Sequence, residues 1–158
     1  MDAYNNNIDL HRTLIGNWQG NYRLVLSWLP EPNFISVSNM TVSSVANGKF
    51  LILSYNWKHE GVAQDGLLLI GNLHKQDELT GSWVDSWGMS GGIMQCHGTI
   101  GPEGDIFLRG NYEVKGSTEW GWRISIPFPR ENVLQILMYN ISPEQEEFLA
   151  GDANYTRL

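Results

Sequence analysis

The sequence has one cysteine, no apolar run of membrane-spanning length, no cluster of basic residues and no leader-like start, and each shortage excludes something. Cys96 alone cannot form an internal disulfide, and small exported domains are commonly cysteine-rich, so a reducing compartment is expected. The opening residues Met1-Asp2-Ala3-Tyr4-Asn5-Asn6-Asn7 lack the positive charge and apolar stretch of a secretory signal, which points to a cytoplasmic protein. Leu67-Leu68-Leu69-Ile70, bounded by Gly66 and Gly71, falls far short of the roughly 18 to 20 residues a helical span needs, and no membrane association is expected. Seventeen acidic against ten basic residues give a net charge of −7, which opposes a phosphate backbone, so nucleic acid is not an expected partner. His11, His59, His74 and His97 lie on separate segments without metal-ligand spacing, and no phosphate-cradling loop or serine nucleophile elbow is present. Neither a metal nor a cofactor is expected. Cys96 and His97 are neighbours whose side chains point to opposite faces of a strand, so they cannot form a catalytic dyad.

What is abundant is turn chemistry. Reversals at residues 29–33, Asn47-Gly48, Glu60-Gly61, Gln76-Asp77, 89–92, 101–104, 115–117, 129–132 and 142–144 divide the chain into segments of about ten residues, rich in β-branched and aromatic side chains. Strands are expected near 16–28, 34–46, 49–59, 62–74, 78–88, 93–100, 105–114, 118–127, 133–141 and 146–157. Short links make sequential neighbours antiparallel, and so many strands left open would twist strongly and expose two edges. The expected fold is therefore an all-β, antiparallel up-and-down barrel in one domain over residues 1–158, with a two-sheet sandwich as the alternative. A helical turn over residues 7–14 is expected to plug one end.

Alternation assigns the faces. Trp18, Gly20, Tyr22, Leu24, Leu26 and Trp28 share one side of the first strand, opposite Asn17, Gln19, Asn21 and Arg23. Ile106, Leu108, Tyr112 and Val114, then Trp120, Trp122, Ile124 and Ile126, repeat the pattern. Their polar faces carry Arg109, Glu113, Glu119 and Arg123, expected to pair across strands on the outside. On the fifth strand Gly81, Trp83, Asp85 and Trp87 share parity, which turns Asp85 inward between two indoles. A carboxylate there needs a donor such as an indole N–H, Tyr22 or Tyr112.

The segment Leu14-Ile15-Gly16-Asn17-Trp18-Gln19-Gly20-Asn21-Tyr22, with its Gly-x-Trp, resembles the opening motif of the calycin-type barrels: lipocalins, fatty-acid-binding proteins and nitrobindins. Combined with Leu79-Thr80-Gly81-Ser82-Trp83-Val84-Asp85-Ser86 and a meander reaching almost to the C-terminus, it resembles an uncharacterised lipocalin-like bacterial family catalogued as a domain of unknown function. The resemblance implies a barrel with an internal cavity and no established activity. The sequence departs from nitrobindin-like haem proteins in having no His after His97, and from fatty-acid-binding proteins in having only residues 29–33 where a helical lid would be inserted.

These readings make Trp18, Tyr22, Trp57, Trp83, Asp85, Trp87, Tyr112, Trp120 and Trp122 the candidate ligand-binding residues, with Tyr55, Met94 and Met138 also inward. The leading expectation is a carrier or sensor for a small hydrophobic or aromatic molecule. Two alternatives stand beside it: a small isomerase, cyclase or hydrolase using Asp85 as general acid or base, and a filled barrel that dimerises through an outer face or the Trp28-Leu29-Pro30 loop. Asp85 has a structural role open to it as well, capping loop N–H groups near the rim. Monomer and homodimer are both compatible with the sequence.

Overall fold

The computed structural model describes residues 12–75 and 77–158. Ten strands run in a meander: β1 (Gly16–Val25), β2 (Asn33–Val45), β3 (Phe50–His59), β4 (Val62–Gly71), β5 (Leu79–Asp85), β6 (Met94–Ile100), β7 (Ile106–Tyr112), β8 (Trp120–Ile126), β9 (Val133–Ile141) and β10 (Glu147–Arg157). Each pairs antiparallel with the next, and β10 returns to β1 with Trp18 opposite Arg157 and Tyr22 opposite Ala153, closing the barrel. Closure leaves no edge strand, as the segment lengths and turn spacing predict. Two of the reversals take left-handed backbone at consecutive residues: Asn47 and Gly48 have φ of 57° and 76°, and Glu60 and Gly61 of 50° and 79°. Of the expected reversal at Gln76-Asp77, Gln76 lies outside the described residues.

The two ends of the barrel differ. At one end Trp18 is fully buried, donates from Nε1 to the Leu14 carbonyl at 2.9 Å and carries the Arg157 guanidinium 4.2 Å above its ring. Leu14 is buried beneath it; the rest of the helical turn expected over residues 7–14 falls, through His11, outside the described residues. Met40, Leu51, Leu53, Leu68, Ile70, Leu79, Leu108, Ile124 and Ile126 fill the next layers, and a buried Ser38–Tyr155 hydrogen bond of 2.8 Å crosses them. Strand β1 runs so close to β10 here that a Cβ on Gly20 would lie 1.8 Å from the Asn154 carbonyl oxygen. Only glycine fits.

The strands end earlier than their apolar alternation suggests, and this changes several expected orientations. β1 stops at Val25, where Leu26 accepts a turn: its N–H donates to Pro32 and its carbonyl accepts from Leu29. Trp28 therefore leaves the inward row and stands 70% exposed at the rim. Val114 likewise lies past the end of β7 and is exposed rather than inward. On the outer face Arg109 and Arg123 sit directly opposite each other, so the expected pairing within the β7–β8 face does not form. Arg123 instead reaches β10 to make a two-pronged bridge to Glu147 at 2.6 and 3.0 Å, and Arg109 donates to Gln145.

Candidate functional site

The other end, where β3 and β5 finish and β4 and β6 begin, gathers the polar chemistry. Tyr55 on β3, Gly66 on β4 and Asp85 on β5 stand in one cross-strand row. Because Gly66 has no side chain, the Tyr55 ring lies across β4, where a Cβ on Gly66 would be 2.3 Å from the phenolic oxygen. Tyr55 Oη thereby reaches Asp85, donating to Oδ2 at 2.8 Å, while accepting from Trp83 Nε1 at 3.0 Å. Trp57 Nε1 donates to the same Oδ2 at 3.3 Å. Asp85 Oδ1 accepts from the backbone N–H groups of Trp87 and Gly88 at 2.9 and 3.0 Å, fixing the turn that leaves β5.

Four donors meet a carboxylate with room for about four. Asp85, only 4% exposed, is thus saturated, and no cation is among its partners in the described residues. A general acid or base needs a free lone pair or proton directed at substrate, and this carboxylate directs its bonding at the protein. The expected donors Tyr22 and Tyr112 are not among its partners: Tyr22 stacks on Trp57 at 4.6 Å, and Tyr112 donates to Asn140 Oδ1 at 2.6 Å on the far wall. The rim-anchoring role open to Asp85 in the sequence is the one its geometry fits.

Above this network lies a pocket of about 230 Å³, lined by Tyr22, Leu26, Trp57, Trp83, Asp85, Trp87, Met89, Met94, Tyr112, Trp122 and Asn140, with Trp28 at its edge. Its flat walls come as stacked pairs, Tyr22 on Trp57 and Trp83 on Trp122, the latter with centroids 5.0 Å apart and planes 16° from parallel. Seven of the nine candidate residues meet here. Trp18 does not, because it seals the opposite end, and Trp120 does not, because it opens β8 and its Nε1 turns back to Ser117. Trp87 reaches the pocket from the turn after β5, not from the strand. Asn140 and Ala150, together with Val25 at the end of β1 and the turn residues Gly88 and Met89, also line it and are not among those candidates. The row Leu134, Ile136, Met138, Asn140 carries the signal for the first; Ala150 is the extra residue of a β-bulge between Leu149 and Gly151, which parity cannot foresee.

Two further features border the pocket. The β2–β3 ladder stops at Met40–Tyr55, and nearer the rim the strands are bridged by side chains, with the Asn39 N–H donating to Asn56 Oδ1 and the Lys58 N–H to Ser36 Oγ. A groove of about 760 Å³ follows this seam on the barrel wall, lined by Ile35, Val37, Lys58 and Gln64 among others. It is larger than the mouth pocket but shares with it only Trp57; Tyr55, Trp83 and Asp85 do not line it. His59 sits at the rim, its ring edged by Phe34 and Trp87, with Nδ1 buried and lacking a hydrogen-bond partner among the described residues; the same holds for Trp122 Nε1.

Burial sets the titration of the interior. It raises the Cys96 thiol to about 11 and, despite the Ser38 bond, the Tyr155 hydroxyl to about 12, and, with the Asp85 charge second, holds Tyr22 and Tyr55 protonated well above the usual phenol range. All are neutral in the fold and ionise near 9.0 or 10.0 when unfolded, so the stability they support is intact below about pH 9 and lost as pH rises through the folded values. The urea midpoint should hold constant from neutral pH to about pH 9 and fall by pH 11; a midpoint unchanged at pH 11 would contradict this. Cys96 faces inward and His97 outward, and among the described residues no cluster of His, Cys, Asp and Glu could hold a metal.

No curated protein matches the chain. A crystal structure of Rv2717c from M. tuberculosis is similar to it, with a TM-score of 0.67 and 12% identity over 97% of this chain and 98% of that one, a likeness of fold. The family described as protein of unknown function (DUF1579) matches residues 9–157, and the chain belongs to that family.

Proposed function

We propose that the protein is a lipocalin-like, cytoplasmic carrier or sensor that holds a small hydrophobic molecule of about one aromatic ring in the mouth pocket. The observation that carries this reading is an indole-walled space at one end of a barrel whose other end is filled. At about 230 Å³ it exceeds the roughly 150 Å³ cavity that accepts benzene and stays below the roughly 300 Å³ where drug-sized sites begin. Long acyl chains do not fit; a single ring does. Asp85 serves this reading as the anchor that fixes Trp57, Trp83 and Tyr55 in one arrangement before a ligand arrives, which lowers the ordering cost of binding.

Titrating indole, toluene and dodecanoate while following tryptophan fluorescence and thermal unfolding tests the reading. The ring compounds should quench fluorescence and raise the melting temperature, and dodecanoate should do neither. Ala150→Leu, which adds bulk to the pocket wall, should abolish the effect while the barrel still folds. A response to dodecanoate alone, or ring binding undiminished by Ala150→Leu, would contradict the assignment.

A further inference from the structure

We propose that the ligand of the mouth pocket is an organic cation whose charge is wrapped in methyl groups, a quaternary ammonium; this rests on the pocket being a ligand site and narrows its chemistry. Among the described residues, the lining contains no Lys, Arg or His. It does contain Asp85, whose four donors are all neutral groups: a phenol, an indole and two backbone amides. Its charge is therefore dispersed but not cancelled, and the field is felt at Tyr22 and Tyr55, whose ionisation it opposes after burial.

The walls add to the same sign. Tyr22, Trp57, Trp83, Trp87 and Trp122 line the space with electron-rich rings, whose π systems attract a cation. A carboxylate or sulfonate entering here meets a buried negative charge and electron-rich rings without a counterion. A neutral ring gains only contact area. A positive charge gains from both the rings and the carboxylate.

The hydrogen-bonding state of Asp85 then selects among cations. A metal ion needs several oxygen ligands and a primary ammonium needs three acceptors, yet the Asp85 oxygens are occupied by protein donors. A quaternary ammonium needs no acceptor at all and is recognised by aromatic faces. It matches a site whose carboxylate offers negative potential without a free lone pair.

Calorimetric titration of the full chain with three ligands of matched shape separates the cases: phenyltrimethylammonium, its neutral isostere tert-butylbenzene, and benzenesulfonate. The ammonium should bind at least about tenfold tighter than the neutral isostere, and the sulfonate should not bind. Benzylammonium should bind more weakly than phenyltrimethylammonium, and Trp87→Leu should weaken the ammonium more than the isostere. Equal affinity for cation and isostere, or tightest binding by the sulfonate, overturns the inference and leaves the ring-ligand reading standing. Benzylammonium matching the quaternary ligand overturns the methylation requirement. If none of the four binds, the ring-ligand reading falls as well.

Discussion

Asp85→Ala should cost the barrel about 3 kcal/mol or more, lowering its melting temperature by roughly 6 to 12 °C. The cost does not come from lost contact area, since the side chain is small. It comes from what remains: the Tyr55 hydroxyl, the Trp57 indole N–H and the Trp87 and Gly88 amides all point at one place, and alanine accepts from none of them. Buried donors left without an acceptor cost about 1–3 kcal/mol each, less where pocket water replaces the carboxylate. Asp85→Asn keeps the shape and one acceptor oxygen, so a smaller loss of about 1–2 kcal/mol is expected. Denaturant unfolding of both variants checks the order. An alanine variant as stable as the parent would show that the network is not what holds the mouth together.

The second large effect comes from a residue with no chemistry of its own. Gly66→Ala should destabilise by about 2–4 kcal/mol and disturb the mouth rather than the sealed end. The new methyl would sit 2.3 to 2.9 Å from three atoms of the Tyr55 side chain, and the ring cannot swing away without leaving Asp85 and Trp83. Near-ultraviolet circular dichroism should lose tyrosine and tryptophan signal while the far-ultraviolet strand signature persists. Combining Gly66→Ala with Tyr55→Phe should cost less than the sum of the two, because both act on the same hydroxyl. Strict additivity would mean that Tyr55 is displaced by nothing that Gly66→Ala introduces.

The barrel is legible in the sequence because its signals are local. Asn47-Gly48 and Glu60-Gly61 announce tight reversals within two residues, and the inward rows of β1, β5 and β7 alternate cleanly, so ten strands and their faces follow from short stretches. Strand ends are less legible: Trp28 keeps the parity of Trp18 and Leu24, but Pro30 and Pro32 terminate the ladder before it arrives. Alternation finds Asp85 and its inward turn, yet it cannot find Tyr55 as the partner. That pairing depends on the register of β3, β4 and β5 together and on the gap that Gly66 leaves, a three-strand property no single segment contains. Trp18 shows the converse. Its parity matches that of the pocket tryptophans, and only its place at the other end of β1, under Arg157, removes it from their company.

Indole N–H signals offer the most direct test of the account, because the seven tryptophans divide between the two ends. In a titration with phenyltrimethylammonium followed by nuclear magnetic resonance, the Nε1–H resonances of Trp57, Trp83, Trp87 and Trp122 should shift together and saturate, while that of Trp18 stays still. Shifts led by Trp18, or none at the mouth while the ligand binds elsewhere, would contradict a ligand site built on the Asp85 network.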